Sequence, residues 1–277
     1  LKRAQSGVSQ AISNLEIAIN QNLFSREKNT LSLTSQGSAL LPIAKSILHQ
    51  QKYFDQKVES LDKDYEHELI VAIDDSVIND ELIEILSPLA EQFPTTNFEI
   101  VIASTFDVEE LIRSGEAHAG IVYVDGELKV DMDFFTLGNA RFLTIASPIH
   151  PLAALDLVSE TDLKTHRQCV HRSAQKKELW FSYKISSTAW YANSHMALVE
   201  LVKKNVGWAV VPELLAHQYI KNGDVISLPI SHEYDGWFTM VGCLVSRSHV
   251  SGPVLRSVIS RLQQYCLLDK RWVLRNN

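Results

Sequence analysis

Cysteine is scarce in this chain of 277 residues, whose three thiols are Cys169, Cys243 and Cys266. They lie far apart and form no C-x-x-C pair. That excludes a disulfide scaffold or a cysteine-rich zinc module, fits a reducing compartment, and leaves three buried thiols as the expectation. Long apolar runs are missing as well. None approaches the roughly 18 uncharged residues that would span a bilayer, and the opening residues Leu1-Lys2-Arg3-Ala4-Gln5-Ser6 turn polar before a signal-peptide core can form. The expected location is the cytoplasm. The chain also lacks G-x-G-x-x-G, a Walker phosphate loop, G-x-S-x-G and H-E-x-x-H. Asp74 and Asp75 could form a carboxylate pair for acid–base work, but no nucleophile or metal ligand stands near them in sequence. No enzyme activity, catalytic residue or cofactor is therefore expected. His166, Cys169 and His171 are close in sequence, yet they lack a fourth ligand, and Cys169 and His171 fall in a short apolar-edged segment, so no metal is expected.

What is present is enough apolar residue, 45% against 21% charged, to bury a full core across about two or three domains. The net charge of −7 looks wrong for a nucleic-acid partner until it is divided along the chain. Residues 1–52 carry Lys2, Arg3, Arg26, Lys28, Lys45 and Lys52 against Glu16 and Glu27, which is +4 and leaves −11 for the rest. A basic head on an acidic body suits phosphate contact at one end, as would ordinary surface variation.

Val8, Ile12, Leu15 and Ile19 recur at helical spacing over about Gln5 to Asn20. The other side carries Gln5, Ser6, Ser9, Gln10 and Ser13, small polar groups that can reach base edges and phosphates in a major groove or simply face solvent. Two short alternating runs, Leu23 to Arg26 and Leu31 to Thr34, flank a polar turn and predict a hairpin, with Arg26 and Lys28 near its tip where a DNA backbone would meet them. From Ser35 the pattern is helical again. Leu40, Ala44, Ile47, Gln51, Phe54, Val58 and Leu61 keep a 4-3 alternation over three heptads, the spacing of a coiled-coil seam, although a helix packed on its own domain would share it. Pro42 should cost this helix one backbone hydrogen bond.

After a charged hinge at 62–68 the pattern changes. Leu69 to Ile73 and Phe98 to Ile102 are near-continuous apolar runs and predict strands buried on both faces, with a helix between them from about Val77 to Phe93. A helix over 106–113 ended by Gly115 and a strand Ala119 to Val124 continue the rhythm. Strand Phe142 to Ser147, helix Ser194 to Lys204, strand Gly207 to Val211 and a helix after Pro212 repeat it, which predicts a mostly parallel wound α/β sheet. Ligands bind beyond the carboxyl ends of such strands. That rule nominates Asp74, Asp75 and Ser76 after the first strand, Ser104 and Thr105 after the second, Tyr123 to Asp125 after the third, and Asn193 and Ser194 at a helix start in the second half. Ser76, Thr105 and Ser194 would serve equally well as helix caps.

The run Ala4-Gln5-Ser6-Gly7-Val8-Ser9-Gln10-Ala11-Ile12-Ser13-Asn14-Leu15-Glu16, followed by Asn22-Leu23-Phe24-Ser25-Arg26 and then Leu33-Thr34-Ser35-Gln36-Gly37, resembles the signature of LysR-type transcriptional regulators. The body shares its landmarks at Phe93-Pro94, Gly115-Glu116, Ala119-Gly120-Ile121, His150-Pro151-Leu152-Ala153, Leu201-Val202, Gly207-Trp208-Ala209 and Val211-Pro212. The resemblance implies part of a winged helix-turn-helix DNA-binding domain at 1–37 and a dimerising linker helix and hinge at 38–66. It further implies a two-lobed, periplasmic-binding-protein-like α/β effector domain, with lobe I at 67–137 plus 247–277 and lobe II at 138–246, the chain crossing between lobes near 137 and 247. The implied DNA contacts are Gln5, Ser6, Ser9 and Gln10 on the recognition helix and Arg26 on the wing, to which the polar helix face and the hairpin tip add Ser13 and Lys28. For the effector cleft that the resemblance implies, the carboxyl-end rule supplies the candidates Asp75, Ser76, Ser104, Thr105, Tyr123, Asn193 and Ser194; the implied partners are promoter DNA, a small-molecule effector and further copies in a homodimer or homotetramer, with RNA polymerase a further candidate. Ala4 and His118 depart from the residues the family usually has there, Ser and Asp. The family's first helix and most of its second have no counterpart within the chain. A solute-binding protein of the periplasmic class would share the body and is the alternative, with a cytosolic two-lobed enzyme a distant third.

Overall fold

A computed structural model of the chain describes residues 5–27, 30–127, 131–233, 235–247 and 251–266. The chain divides into two compact units, Leu1–Lys63 and Asp64–Asn277.

The first unit runs α1 (Gln5–Ile19), β1 (Phe24–Glu27), β2 (Thr30–Leu33) and α2 (Ser35–Asp62), the order the periodicity predicts. Glu16 on α1 turns the chain into the hairpin, its carboxylate accepting from the backbone N–H of Leu23 at 2.7 Å and of Phe24 at 3.0 Å. The hairpin is antiparallel, with Phe24 opposite Leu33. Thr34 then starts α2: its hydroxyl accepts from Gly37 N–H at 2.9 Å and donates to the Asn22 carbonyl at 2.6 Å. Gly37 is fixed by close approach, because a Cβ there would lie 2.1 Å from the Leu23 carbonyl oxygen. Helix α2 continues through Pro42. Its 28 residues leave Leu40, Ala44, Ile47, Gln51, Phe54, Val58 and Leu61 all exposed. On α1, Val8, Leu15 and Ile19 are exposed too, with Ile12 half-buried.

The second unit comprises β3 (Glu68–Asp74), α3 (Asp80–Leu86), α4 (Leu89–Gln92), β4 (Asn97–Ala103), α5 (Thr105–Ser114), β5 (Ala119–Tyr123), β6 (Met132–Ala146), α6 (Glu160–Thr165), β7 (Gln168–His171), β8 (Ala189–Ala192), α7 (His195–Lys203), β9 (Trp208–Pro212), α8 (Glu213–Lys221), β10 (Ile226–Ser227), β11 (Trp237–Ser246) and α9 (Pro253–Cys266). Its strands form one sheet in the order β4-β3-β5-β11-β6-β9-β7-β8, with β10 paired to β6. One lobe is built on the parallel ladders β4-β3 and β3-β5, the other on β7-β8 and β7-β9. The long strands β6 and β11 pair antiparallel with each other and reach both lobes, β11 through β5 and β6 through β9. The sheet is therefore mixed rather than mostly parallel. Local patterning predicts strand only over Phe142 to Ser147 where β6 runs from Met132 to Ala146, and it predicts no strand at β11.

Two further expectations are corrected. Strand β4 is not buried on both faces: it closes one edge of the sheet, and Phe98, Ile100 and Ile102 are 36%, 43% and 47% exposed. The helix expected from Val77 to Phe93 is two short helices, separated at Ser87 and Pro88, because proline cannot donate into a continuing helix. Gly115 ends α5 in the left-handed conformation, φ 81°, as its position suggested. Glu66 holds α9 in place, its two carboxylate oxygens accepting from Val254 N–H at 2.9 Å and Leu255 N–H at 3.1 Å. His118, at the position where the resemblance expects Asp, accepts from Ile70 N–H through Nδ1 at 2.9 Å. Cys169 and Cys243 are free and buried, and burial pushes their thiols up to about 11 and about 12, so both are unreactive. The Cys266 side chain lies outside the described residues. No described helix is long and apolar enough to cross a membrane.

Candidate functional site

The carboxyl ends of β3, β5 and β7 and the first turns of α5 and α7 meet in one buried polar network. Asp74, the last residue of β3, is fully buried. Its Oδ1 accepts from Ser76 N–H (3.1 Å) and Ser76 Oγ (2.9 Å), and its Oδ2 accepts from Thr105 Oγ1 at 2.8 Å. Burial, with the neighbouring Asp75 charge adding to it, raises the Asp74 carboxyl above the usual range. Since Ser76 gives its proton to Asp74, the Tyr123 hydroxyl 3.0 Å away donates to Ser76 Oγ. Burial holds that phenol well above its ordinary value, so it stays a donor.

Asp75 reaches across to the other lobe. Its Oδ2 accepts from the backbone N–H of His195 at 2.8 Å, and its Oδ1 lies 3.0 Å from His195 Nδ1. The first free N–H of α7 and a side-chain N–H thus bind one carboxylate, in the place where a helix N-terminus takes an anion. Burial alone would raise Asp75; the hydrogen bond and charge of His195, together with Ser194 and His171, reverse that and hold it below its usual value. His195 Nδ1 is also 3.1 Å from Ser76 Oγ, so one imidazole ties together residues 120 apart in sequence. His171, at the end of β7, stacks on His195 with ring centroids 3.9 Å apart and planes 7° apart. Burial, helped by the charge of His195, pushes His171 down to about 3, so it is neutral in the folded protein. The Nε2 atoms of both histidines are buried and, among the described residues, have no hydrogen-bond partner.

Six of the residues nominated from sequence come together here: Asp74, Asp75, Ser76, Thr105, Tyr123 and Ser194. Ser194 also caps α7, accepting from Ala197 N–H at 3.4 Å. Val124 and Asp125 lie outside the network, and so do two others. The Ser104 hydroxyl turns to Asp107 at 2.5 Å, and Asn193 is exposed, contributing only its backbone to His171. In the sequence reading His171 figures only as a rejected metal ligand beside His166 and Cys169, and His195 does not figure at all. Their signal was present in outline: His195 follows the nominated Ser194, and His171 ends a strand, the position the carboxyl-end rule selects. Asp75, His171 and His195 each offer a ligand atom within 4.8 Å of the others. The parallel rings would leave a shared cation outside both ring planes and off the nitrogen lone pairs, so coordination would require one ring to turn.

On the first unit, Gln10 is exposed and its Nε2 donates to Asn14 Oδ1 at 3.0 Å, while Ser9 and Ser13 are half-buried. Lys28 and the side chains of Gln5, Ser6 and Arg26 lie outside the described residues.

Comparison with known proteins places this geometry among relatives. The family model described as the LysR substrate binding domain matches residues 63–267. The HTH-type transcriptional regulator AceR of Acinetobacter baumannii is 26% identical over 216 residues, 77% of this chain and 71% of that protein. The multiple virulence factor regulator MvfR of Pseudomonas aeruginosa is 26% identical over 245 residues, 88% of this chain and 73% of its own. Among solved structures, full-length LysG from Corynebacterium glutamicum with bound effector Arg shares the fold at 16% identity and a TM-score of 0.54, over 95% of this chain and 89% of that one. The regulatory domain of the MetR protein NMB2055 from N. meningitidis does so at 19% identity and a TM-score of 0.56, over 73% of this chain and 94% of that one.

Proposed function

Because the chain belongs to the LysR family of transcriptional regulators, through its effector-binding domain, we infer that it binds promoter DNA with α1 and that a small molecule acting between its two lobes changes that binding. The observation that carries this reading is the Asp75–His195 junction, which closes one lobe on the other through a carboxylate set on a helix N-terminus. An effector that binds between the lobes has to compete with this contact or stabilise it, and either changes the balance between open and closed forms. The partnerless Nε2 of the neutral His171 adds an acceptor beside Asp75, which favours a ligand presenting a hydrogen-bond donor there. The LysG structure with bound Arg supports a small-molecule role for a body of this fold.

Exposed apolar surface supports self-association. A 28-residue helix with Ile47, Phe54, Val58 and Leu61 at 63%, 67%, 46% and 58% exposure is poorly suited to solvent and well suited to a partner helix. The apolar β4 edge is a second candidate surface, and together the two fit a homodimer or homotetramer. DNA reading is tested with Gln10→Ala in the full-length protein. Specific binding should weaken by about 1 to 3 kcal/mol while salt-driven non-specific binding is spared. Equal losses on cognate and scrambled DNA would remove Gln10 from base recognition.

A further inference from the structure

The interlobe network is filled by the protein's own side chains, but lobe II holds a separate cavity of about 270 Å³. Three of the chain's five tryptophans, Trp180, Trp208 and Trp237, line it together with Phe181 and Tyr183. Trp208 and Phe181 form a buried floor, at 1% and 7% exposure, whereas Trp180 and Tyr183 stand at the mouth at 49% and 55%. Trp180 meets Trp237 edge to face, centroids 5.7 Å apart and planes at 87°, so two indoles bound the space at right angles.

The rim is a built structure. It sits on the irregular connection between β7 and β8, and the buried Gln168 side chain fastens that segment at three backbone points: Nε2 donates to the Tyr183 carbonyl at 3.1 Å, and Oε1 accepts from Ile185 N–H at 2.9 Å and Ser186 N–H at 3.3 Å. Ser186 Oγ adds bonds to the carbonyls of Leu163 and His166, and Trp208 Nε1 donates to Leu163 at 3.0 Å. Neighbouring aromatic side chains held half-open over a cavity by a pinned loop make a concave, ring-lined recess with a few placed polar groups, the arrangement of a small-molecule site.

We propose that this cavity binds a compact aromatic molecule that carries no negative charge. Its volume lies just below the roughly 300 Å³ at the lower end of ligand clefts, which suits one or two fused rings. The electron-rich faces of the indole, phenol and phenyl rings attract neutral or cationic rings and repel an anion. No lysine or arginine lines the cavity among the described residues; besides Tyr183 its ionisable side chains are Glu160, which pairs with Lys164 at 2.5 Å, and His232, whose ring centroid lies 6.3 Å from that of Trp237. The site is distinct from the Asp75–His195 junction, and its ligand binding does not depend on the regulatory reading.

Three naphthalene probes of closely similar size test this by calorimetry on the full chain: 2-naphthylmethanol, 2-naphthylmethylammonium and 2-naphthoate. The neutral and cationic probes are expected to bind one per chain, with the anion at least about tenfold weaker. Trp180→Ala and Tyr183→Ala, both at half-exposed positions and so tolerated by the fold, should each weaken the neutral probe by about fivefold or more with the melting temperature retained. Asp75→Asn should leave probe binding unchanged, whatever it does to DNA binding. No binding of either favoured probe, equal binding of naphthoate, indifference to both rim substitutions, or loss with Asp75→Asn would each overturn the assignment.

Discussion

Replacing His171 by glutamine isolates one titration from the rest of the protein. Folding pushes this imidazole from 6.5 down to about 3 by burying it against His195. Below pH 6.5 the unfolded chain gains a proton that the folded chain refuses until about pH 3, so the folded state loses stability as the pH falls through that window. At pH 5 the unfolded value lies about 1.5 units above the solution pH, which at 1.36 kcal/mol per unit is about 2 kcal/mol, against almost nothing at pH 7.5. Glutamine does not titrate. Denaturant unfolding of wild type and His171→Gln, followed by tryptophan fluorescence at steps between pH 7.5 and 5, should therefore show the wild type losing about 2 kcal/mol relative to the variant, whatever their difference at pH 7.5. The comparison cancels groups that titrate alike in both chains, and Asp75, held below its usual value, contributes only at more acid pH. Stability curves that stay parallel to within about 0.5 kcal/mol would show that His171 is not buried neutral and would remove the stacked pair from the account.

Three other perturbations follow from single contacts. Gly37→Ala places a methyl carbon 2.1 Å from a backbone carbonyl that cannot yield without moving α2, so the first unit should lose about 1 to 3 kcal/mol and operator binding should fall with it, seen by local hydrogen exchange and by DNA titration. Arg141→Met leaves the 4%-exposed Glu213 carboxylate without its guanidinium partner and should cost about 3 to 5 kcal/mol in denaturant unfolding; a loss below about 1 kcal/mol would show that the pair is open to water. Ile47→Asp with Val58→Asp puts charge into the exposed stripe of α2, and light scattering should show a lower mass with the circular dichroism of the body intact; an unchanged mass would refute the seam.

What could be read from sequence was whatever repeats locally. The 4-3 spacing of α2, the alternation in the hairpin and the 4-3-4 steps of α1 each report a face within one element, and each of these elements begins within one residue of the start read for it. Burial in a sheet is different, because it depends on neighbours. Phe98, Ile100 and Ile102 read as a core strand but lie at an edge, since nothing within a run of apolar residues says which strand flanks it. The polar network divides along the same line. Asp75, Ser76 and Thr105 were legible because strand ends followed by helix starts have a sequence signature. The histidine pair was not, because it forms only when the order β3-β5-β11-β6-β9-β7 brings the ends of β3 and β7 face to face. The same is true of the tryptophans, which are scattered along the sequence and gather only around the folded β7–β8 connection.

If this body controls a DNA reader, equilibrium titration of the full-length protein against fluorescent DNA from its own flanking region will reveal both functions together. Binding should be at least about a thousandfold tighter to that DNA than to a scrambled duplex of equal length at physiological salt, with a changed affinity when Asp75→Ala removes the contact between the lobes. Equal affinity for the two duplexes would contradict it.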